Sequence, residues 1–281
     1  MTFLGLPEDP SRARVVILPA PYDGTASYVP GARFGPRRVL EASPYLEFYD
    51  EETGTEVYRL APFLTLPEPE LPLSPEKTIF ALKEVLRPHL ERGLFPVTIG
   101  GEHTVSLAPI SLLAGRYPDL CVLQIDAHAD LRDQYQGSPF SHACVMRRVL
   151  EFGVCLFQVG LRALSREEAE FIRKNGHLAF FAKETIQDPE AVGQKILKAL
   201  AGRPLYVTID LDGLDPSEVP GVGTPEPGGL RWYDLLALLR EISRAQVVGF
   251  DVVELAPLPH DHVSAFLAAR LVYKFLSYLF S

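Results

Sequence analysis

Two short segments of the sequence place aspartate and histidine side chains directly after apolar runs. LQIDAHAD contains Asp126, His128 and Asp130 at alternate positions, and VTIDLDGLDP contains Asp210 and Asp212 with the same spacing. Alternate residues of an extended strand project from one face, so each segment can direct its polar side chains to a common point. A ligand set of oxygen and imidazole nitrogen without sulfur favours Mn²⁺ over Zn²⁺ or an iron–sulfur cluster. The two segments therefore predict a metal site.

A third segment, IGGEHT, adds His103 to the candidate ligands. It follows the apolar run 95–99, and its two glycines permit a tight turn before the next helix begins. Taken alone, each candidate has an ordinary alternative as a helix cap, a loop residue or a packing histidine. Together, four carboxylates and two imidazoles at the ends of apolar strands would be costly to bury without a compensating cation. Four carboxylates also match the charge of two divalent ions.

The elements that must position these residues alternate between apolar runs and amphipathic helical patterns. We predict buried strands at 14–18, 95–99, 120–126, 154–160, 204–210 and 246–253. The spacing of apolar residues predicts helices at 75–90, 165–174, 190–200, 232–242 and 264–280. This alternation indicates one three-layer α/β domain over residues 1–281, and ligands of such sheets collect at the carboxyl ends of the strands. Residues 44–74, rich in proline and glutamate, should wrap the surface without long regular elements.

Composition restricts the class of partner. The chain has 281 residues and a formal net charge of -9, which disfavours binding to nucleic acid or to an anionic membrane. No apolar run reaches the length of about 20 residues that spans a bilayer. The three cysteines suggest neither a disulfide framework nor a zinc site. We therefore expect a cytoplasmic protein with no nucleic-acid or membrane partner, whose acidic charge would suit a cationic substrate.

Four motifs together resemble the signatures of the ureohydrolase (arginase and agmatinase) family. They are GGEHT at 100–104, DAHAD at 126–130, DLDGLDP at 210–216 and GTPEPGG at 223–229, and they occur in the family's order. PYDGTASYVPGARFGP at 21–36 extends the resemblance over nearly the whole chain. The resemblance implies an αβα sandwich around a mainly parallel eight-stranded sheet, with two Mn²⁺ ions per subunit. One ion would be held by His103, Asp126, Asp130 and Asp210, and the other by Asp126, His128, Asp210 and Asp212.

The same resemblance suggests roles for residues around the metal ligands. Asp130 would accept a hydrogen bond from the attacking water, and Glu226 of GTPEPGG would pair with the guanidinium group of the substrate. His142, in FSHACVMRR, would deliver a proton to the leaving amine and contact the substrate. The alternative for His142 is a cap at the start of a helix over about 143–151. Glu254, in DVVELAP, is either near the site or a strand-end carboxylate, so we leave it outside the catalytic set.

The segment after DAHAD favours agmatine over arginine as substrate. Arginases carry an asparagine there to bind the substrate's α-carboxylate, whereas this chain has Leu131, Arg132 and Asp133. An added acid suits a cationic tail, so we predict that Asp133 binds substrate and that agmatine is hydrolysed to putrescine and urea in polyamine biosynthesis. Ala129 and Ala143 depart from the residues usual in agmatinases. They leave open aminopropylagmatine, which yields spermidine, as well as guanidinobutyrate and arginine.

Two other classes of protein remain possible at this stage. A regulator of the same fold could have lost catalysis, and a related hydrolase could act on an amide or formimino bond with the same metal motifs. The PHDH segment, with His260 and His262, reads as a loop and helix start, and metal binding there is a minor alternative. Family resemblance further implies a homotrimer or homohexamer.

Overall fold

Eight strands form one sheet in which every neighbouring pair is parallel. The computed structural model describes residues 1–281. Its strands are β1 (Val15–Ala20), β2 (Phe63–Thr65), β3 (Phe95–Gly100), β4 (Cys121–Ile125), β5 (Cys155–Leu161), β6 (Leu178–Phe181), β7 (Leu205–Asp210) and β8 (Val247–Val253). Their order across the sheet is β2-β1-β3-β8-β7-β4-β5-β6. The predicted parallel eight-stranded sheet is confirmed, and it contains no antiparallel pair.

The helices connect these strands as crossovers. They are α1 (Gly35–Ala42), α2 (Val57–Leu60), α3 (Pro75–Glu91), α4 (Leu107–Arg116), α5 (Val145–Leu150), α6 (Arg166–Asn175), α7 (Ala182–Gln187), α8 (Pro189–Leu200), α9 (Trp232–Ile242) and α10 (Val263–Phe280). The five predicted helices correspond to α3, α6, α8, α9 and α10. Capping signals in the sequence explain the accuracy of their starts. Ser165 and Glu168 form a capping box before α6, and Asp188 caps α8, which begins with Pro189.

Alternate residues of the strands point to two separate apolar cores. Val15 and Ile17 of β1 join the core beneath α1, α8, α9 and α10. Val16 and Leu18 join the core beneath α3, α4 and α5 on the other face. Burial of both faces explains why the strands are nearly continuous apolar runs. The three-layer αβα arrangement is therefore confirmed.

The helix α10 is long and apolar enough to cross a membrane by length and composition alone. More than half of its residues are buried, and Leu271, Val272 and Phe275 belong to the apolar core on the α10 face of the sheet. Its one lysine, Lys274, is also buried and contacts the carboxylates of Asp50, 2.9 Å away, and Glu51, 3.0 Å away. This helix is therefore a packed element of the sandwich.

Residues 44–74 contain only short elements, as predicted. Within this stretch the structure has the end of a short 3-10 helix (Ser43–Tyr45), then α2 and the three-residue strand β2. The strand β2 was not predicted because three residues are too few to show periodicity. The strand β6 was also missed, since its sequence LAFF is only partly buried at the edge of the sheet.

The central strands β3, β8, β7 and β4 end at the same edge of the sheet. The register places Ile99 beside Val252, Val252 beside Ile209, and Ile209 beside Ile125. Because the strands are parallel, the segments that follow them leave the sheet side by side. These are the segments that contain GGEHT, DAHAD, DLDG and the Glu254 turn.

Candidate active site

The side chain of His103 lies among three buried carboxylates. Its Nδ1 is 3.1 Å from Oδ2 of Asp126, 3.1 Å from Oδ2 of Asp130 and 3.3 Å from Oδ2 of Asp210. His103 begins a short 3-10 helix directly after the GGE turn, close to where the sequence predicts the next helix to start. The three segments that follow β3, β4 and β7 thus meet at one ring nitrogen.

Hydrogen bonds beneath His103 define the tautomer of its neutral ring. Its Nε2 lies 2.8 Å from the hydroxyl oxygen of Thr208, and that hydroxyl donates to Oδ1 of Asp251 at 2.6 Å. Since Thr208 gives its only proton to Asp251, Nε2 of His103 must be the donor to Thr208. In the neutral ring, the buried Nδ1 therefore has a lone pair, and it has no hydrogen-bond partner. A lone pair that faces three carboxylates fits a bound cation, so these residues fit a metal.

A second cluster shares Asp126 with the first. Nδ1 of His128 is 2.9 Å from Oδ2 of Asp212 and 3.6 Å from Oδ1 of Asp126. Ligand-type atoms of His103, Asp126 and Asp210 form one group that could hold a metal ion, and those of Asp126, His128 and Asp212 form the other. The two clusters are adjacent and have oxygen and nitrogen atoms only, which makes the site a candidate binuclear centre.

The ligands converge through turns, and not through the strand faces that the sequence analysis assumed. The strand β4 ends at Ile125, so Asp126 to Asp130 lie in a loop, where Asp130 has a positive φ of 51°. Oδ1 of Asp126 accepts the main-chain N–H of His128 at 2.5 Å, which closes the loop as an Asx turn. Asp210 does the same for the N–H of Asp212, at 2.8 Å. The predicted alternation was therefore wrong, although the predicted convergence holds.

The clusters need positive charge, which protons supply in the metal-free protein. Burial alone would lower the pKa of His103, but the carboxylates of Asp126, Asp130 and Asp210 raise it well above its ordinary value. At His128, burial also lowers the pKa, but the carboxylates of Asp126 and Asp212 outweigh it and raise the pKa to about 12. Burial raises the pKa of Asp130 to about 7. Divalent cations would replace these protons.

Polar side chains inside the sheet support the ligands, and sequence reasoning missed them. Nε2 of Gln124 donates to Oδ2 of Asp126 at 2.6 Å, and Nε2 of Gln158 donates to Oε1 of Gln124 at 2.6 Å. Asp251 accepts a second hydrogen bond, from the hydroxyl of Tyr206, at 2.8 Å. Each of these residues interrupts an otherwise apolar strand segment. A polar residue in the middle of a buried apolar run needs a hydrogen-bond partner, and this was the signal in the sequence that could have identified them.

A cavity of about 460 Å³ opens above the two clusters. Its volume is in the range of small-molecule sites. The predicted site residues that line it are His128, Asp130, Asp210, Asp212, His142 and Glu226. His103 and Asp126 lie beneath it, fully buried. The structure therefore brings all eight of the predicted metal and catalytic positions to one place.

His142 lies in the wall of this cavity, at the start of a short 3-10 helix (His142–Cys144) that leads into α5. Its Nδ1 is 3.2 Å from the hydroxyl of Thr25, and its Nε2 is 3.3 Å from the hydroxyl of Ser27. Burial lowers the pKa of His142 to about 4. The N-cap of this helix is Ser141, so His142 is its first residue and not its cap, and the ring of His142 lines the cavity.

Two glutamates line the cavity and could accept a guanidinium group. Glu226 is half-buried in the GTPEPGG loop, whose main chain is held by Arg162. Glu254 is the one that the sequence analysis left out. It follows β8 with a positive φ of 66°, and its Oε1 accepts the main-chain N–H of His103 at 2.6 Å. That contact places Glu254 next to the ligand clusters.

Asp133 is not brought to the cavity. Its side chain is 78% exposed, and its Oδ1 pairs with Arg148 at 2.6 Å. Arg132, in contrast, lines the cavity with its guanidinium over the ring of Tyr135. His260 and His262 stand before α10, outside both metal-binding groups, as predicted for a loop and helix start.

Comparisons with known proteins agree with this geometry. Residues 13–277 match the sequence model of the Arginase family. The chain is 41% identical to an N(1)-aminopropylagmatine ureohydrolase of Synechocystis, over 95% of this chain and 89% of that protein. It is 37% identical to an agmatinase of Bacillus subtilis, over 94% of this chain and 91% of that protein. Its fold superposes on proclavaminate amidino hydrolase of Streptomyces clavuligerus with a TM-score of 0.91, at 31% identity, over 99% and 96% of the two chains.

Proposed function

Because this chain belongs to the arginase family, we propose that it is a manganese-dependent ureohydrolase that converts agmatine and water to putrescine and urea. The observation that supports this most strongly is the buried Nδ1 of His103, which lies 3.1 to 3.3 Å from three buried carboxylates and has no hydrogen-bond partner. A cation there would satisfy the nitrogen and the carboxylates together, at the floor of a cavity large enough for a small guanidino compound.

We propose that one ion is held by His103, Asp126, Asp130 and Asp210, and the other by Asp126, His128, Asp210 and Asp212. Oxygen and imidazole ligands without sulfur suit Mn²⁺. Two divalent cations held by these residues would lower the pKa of a bound water molecule, which is the activation that attack at neutral pH requires.

The remaining side chains bind the substrate and move protons. Asp130, at the edge of the cavity, would accept a hydrogen bond from the attacking water and so orient it toward the guanidinium carbon. Glu226 and Glu254 are the two carboxylates available to pair with the guanidinium nitrogens. His142 would return a proton to the amine nitrogen as the C–N bond breaks. The water oxygen remains on the carbon as the carbonyl of urea.

The roles of the two glutamates can be separated by substitution. Glu254 is next to the ligands, whereas Glu226 is on the outer loop, so Glu254→Gln should reduce kcat and Glu226→Gln should mainly raise KM. The measurement is kcat and KM of both variants and the parent protein, with the same metal content in every sample. Equal kinetics in the Glu254→Gln variant and the parent would remove Glu254 from the site.

A cationic or neutral substrate tail fits the cavity better than an amino-acid zwitterion. Arg132 is the cation that could attract an α-carboxylate, but it lies over Tyr135 and its Nε is 3.9 Å from Oε2 of Glu168. Two carboxylates of the wall, Glu226 and Glu168, would in addition repel a negative tail. This arrangement supports agmatine over arginine.

Aminopropylagmatine is a second candidate substrate. The cavity of about 460 Å³ leaves room beyond a molecule as small as agmatine, and a similar relative is named for the longer compound. The test is kcat/KM for urea release from agmatine, aminopropylagmatine, arginine and guanidinobutyrate. A higher kcat/KM for agmatine supports the first proposal and a higher value for aminopropylagmatine the second. Highest activity with arginine would contradict both, and no urea from any of the four compounds would favour a related hydrolase of amide or formimino bonds.

We further propose that residues 1–281 act as one catalytic domain in a cytoplasmic homotrimer or homohexamer. A single sheet carries all the ligand segments, and the three cysteines are unpaired, as a reducing compartment requires. Light scattering coupled to size-exclusion chromatography would give the subunit number.

A further inference from the structure

A buried hydrogen-bond chain leads from Glu102 through Thr25 to His142. We infer that Glu102 and Thr25 are positioning residues that hold the ring of His142 and keep its proton on Nδ1. This inference rests on the proposed function, in which His142 transfers a proton. The three residues come from separate motifs, PYDGTAS, GGEHT and FSHA.

In the first link of the chain, the hydroxyl proton of Thr25 is used in a hydrogen bond to Glu102. The side chain of Glu102 is buried, and both of its oxygens accept hydrogen bonds from Thr25. The hydroxyl of Thr25 donates to Oε1 at 2.7 Å, and its main-chain N–H donates to Oε2 at 2.7 Å. A hydroxyl has one proton, so Thr25 has only acceptor capacity left.

The second link determines the tautomer of His142. The Thr25 oxygen accepts the main-chain N–H of His142 at 3.0 Å, and it lies 3.2 Å from Nδ1 of the same residue. Because Thr25 can only accept, its contact with Nδ1 is a hydrogen bond only when the ring donates from Nδ1, which favours that tautomer. The hydroxyl of Ser141 is also near Nδ1, at 3.4 Å. In the neutral ring the lone pair is then on Nε2, which is beside the Ser27 hydroxyl in the cavity lining.

This arrangement suits proton transfer. Nε2 can accept a proton released when the attacking water forms its bond to the guanidinium carbon, and it can give that proton to the amine nitrogen. The electron pair of the broken C–N bond goes to the amine nitrogen. The second proton of the water leaves the oxygen as the carbonyl of urea forms and also goes to the amine, so urea and a protonated amine result and atoms and charge balance. With the opposite tautomer, Nε2 would already carry a hydrogen and could not accept one. The ring is further restrained by an edge contact to Tyr135, with ring centroids 5.9 Å apart.

The direct test is the protonation state of the two ring nitrogens. Solid-state ¹⁵N NMR of metal-free protein labelled with ¹³C,¹⁵N-histidine, near neutral pH, distinguishes a protonated from an unprotonated ring nitrogen. A His142→Asn sample assigns the signal. We expect Nδ1–H in the parent protein and in Ser27→Ala, and a shift toward Nε2–H in Thr25→Val, which lacks the acceptor. An Nε2–H ring in the parent would overturn the inference, whether or not the protein releases urea.

Kinetics of the manganese-loaded protein test the consequence. Thr25→Val should lower kcat by about 10- to 100-fold with little change in KM, since general acid–base catalysis contributes about 100-fold or more. Thr25→Ser keeps the hydroxyl and should restore most of kcat. Glu102→Gln replaces an acceptor by a donor next to the Thr25 N–H, and should act like Thr25→Val if it folds. Unchanged kcat in Thr25→Val, or no rescue by Thr25→Ser, would contradict the positioning role.

Discussion

Arg162 donates a hydrogen bond from its guanidinium group to the main-chain oxygen of Glu226, at 2.8 Å. The same group donates to the main-chain oxygens of Asp212, at 2.6 Å, and Gly160, at 3.1 Å. One side chain thus ties together the end of β5, the segment after β7 and the GTPEPGG loop. The five donors of arginine in a fixed fork make this possible.

Replacing Arg162 by lysine should disturb the site without removing the positive charge. Lysine has a single side-chain nitrogen and cannot donate to all three segments at once. The segments of Glu226 and Asp212 should then shift relative to each other. We expect kcat/KM to fall by about 10- to 100-fold, as for other small misplacements of catalytic groups. Arg166→Lys, an exposed arginine on α6, is the matched control and should retain full activity. Equal kcat/KM in Arg162→Lys and the parent would disprove the role of the fork.

Asp126 is predicted to be essential because both clusters contain it. Asp126→Ala should reduce bound manganese and lower turnover by more than about 100-fold, since even residues that only support ligands commonly change activity by 10- to 100-fold. The control is Asp133→Ala, which removes an exposed aspartate of the same region. For both variants, elemental analysis measures the bound manganese and urea release measures the turnover. Full metal content and turnover in Asp126→Ala would contradict the site assignment.

Thr208 should tune metal affinity from beneath the site. Thr208→Val removes the acceptor for Nε2 of His103, which allows the ring to protonate Nδ1 in place of binding metal. The Kd for Mn²⁺, measured by calorimetry, should rise by about 10- to 100-fold. Thr185→Val is the control, because Thr185 is equally buried but on α7, away from the ligands. An unchanged Kd would show that the Thr208 contact does not set the tautomer of His103.

Lys274 should be important for stability rather than catalysis. Its ammonium group is the cationic partner of the buried Asp50. Lys274→Met leaves this carboxylate without its partner, so we expect unfolding free energy to fall by about 3–5 kcal/mol. Lys198→Met, on the exposed face of α8, should change it by less than about 0.5 kcal/mol. Denaturant titration near neutral pH measures the unfolding free energy of both variants. An equally small loss of unfolding free energy in the two would contradict the prediction.

The pH dependence of that stability follows from Asp50. Burial opposes ionisation, but hydrogen bonds from Thr53 and Lys274 lower the pKa of Asp50 below its ordinary value of 3.8. A lowered folded pKa contributes stability above the unfolded value and loses it as pH falls through the folded value. The difference in unfolding free energy between the parent and Lys274→Met should therefore narrow below pH 3.8. A difference that grows in acid would be inconsistent with this pair.

The sequence predicted the residues that form the two candidate metal-binding clusters and most of the sandwich, because motifs and long apolar periods are local properties. It did not predict how the ligands converge, since the turns closed by Asp126 and Asp210 are set by side-chain hydrogen bonds. Arg162 and Thr25 were missed for another reason. Their partners are 64 residues away at Glu226 and 77 residues away at Glu102, and no local pattern reveals such contacts.

The measurement that most directly tests the central claim is urea release from agmatine by manganese-loaded and chelator-treated samples of the same protein. Putrescine is quantified in parallel, because hydrolysis must yield one amine for each urea. We predict equal amounts of urea and putrescine from the loaded sample, none after chelation, and recovery when manganese is restored. Urea release that persists after chelation, or none from agmatine or aminopropylagmatine with manganese bound, would contradict the account.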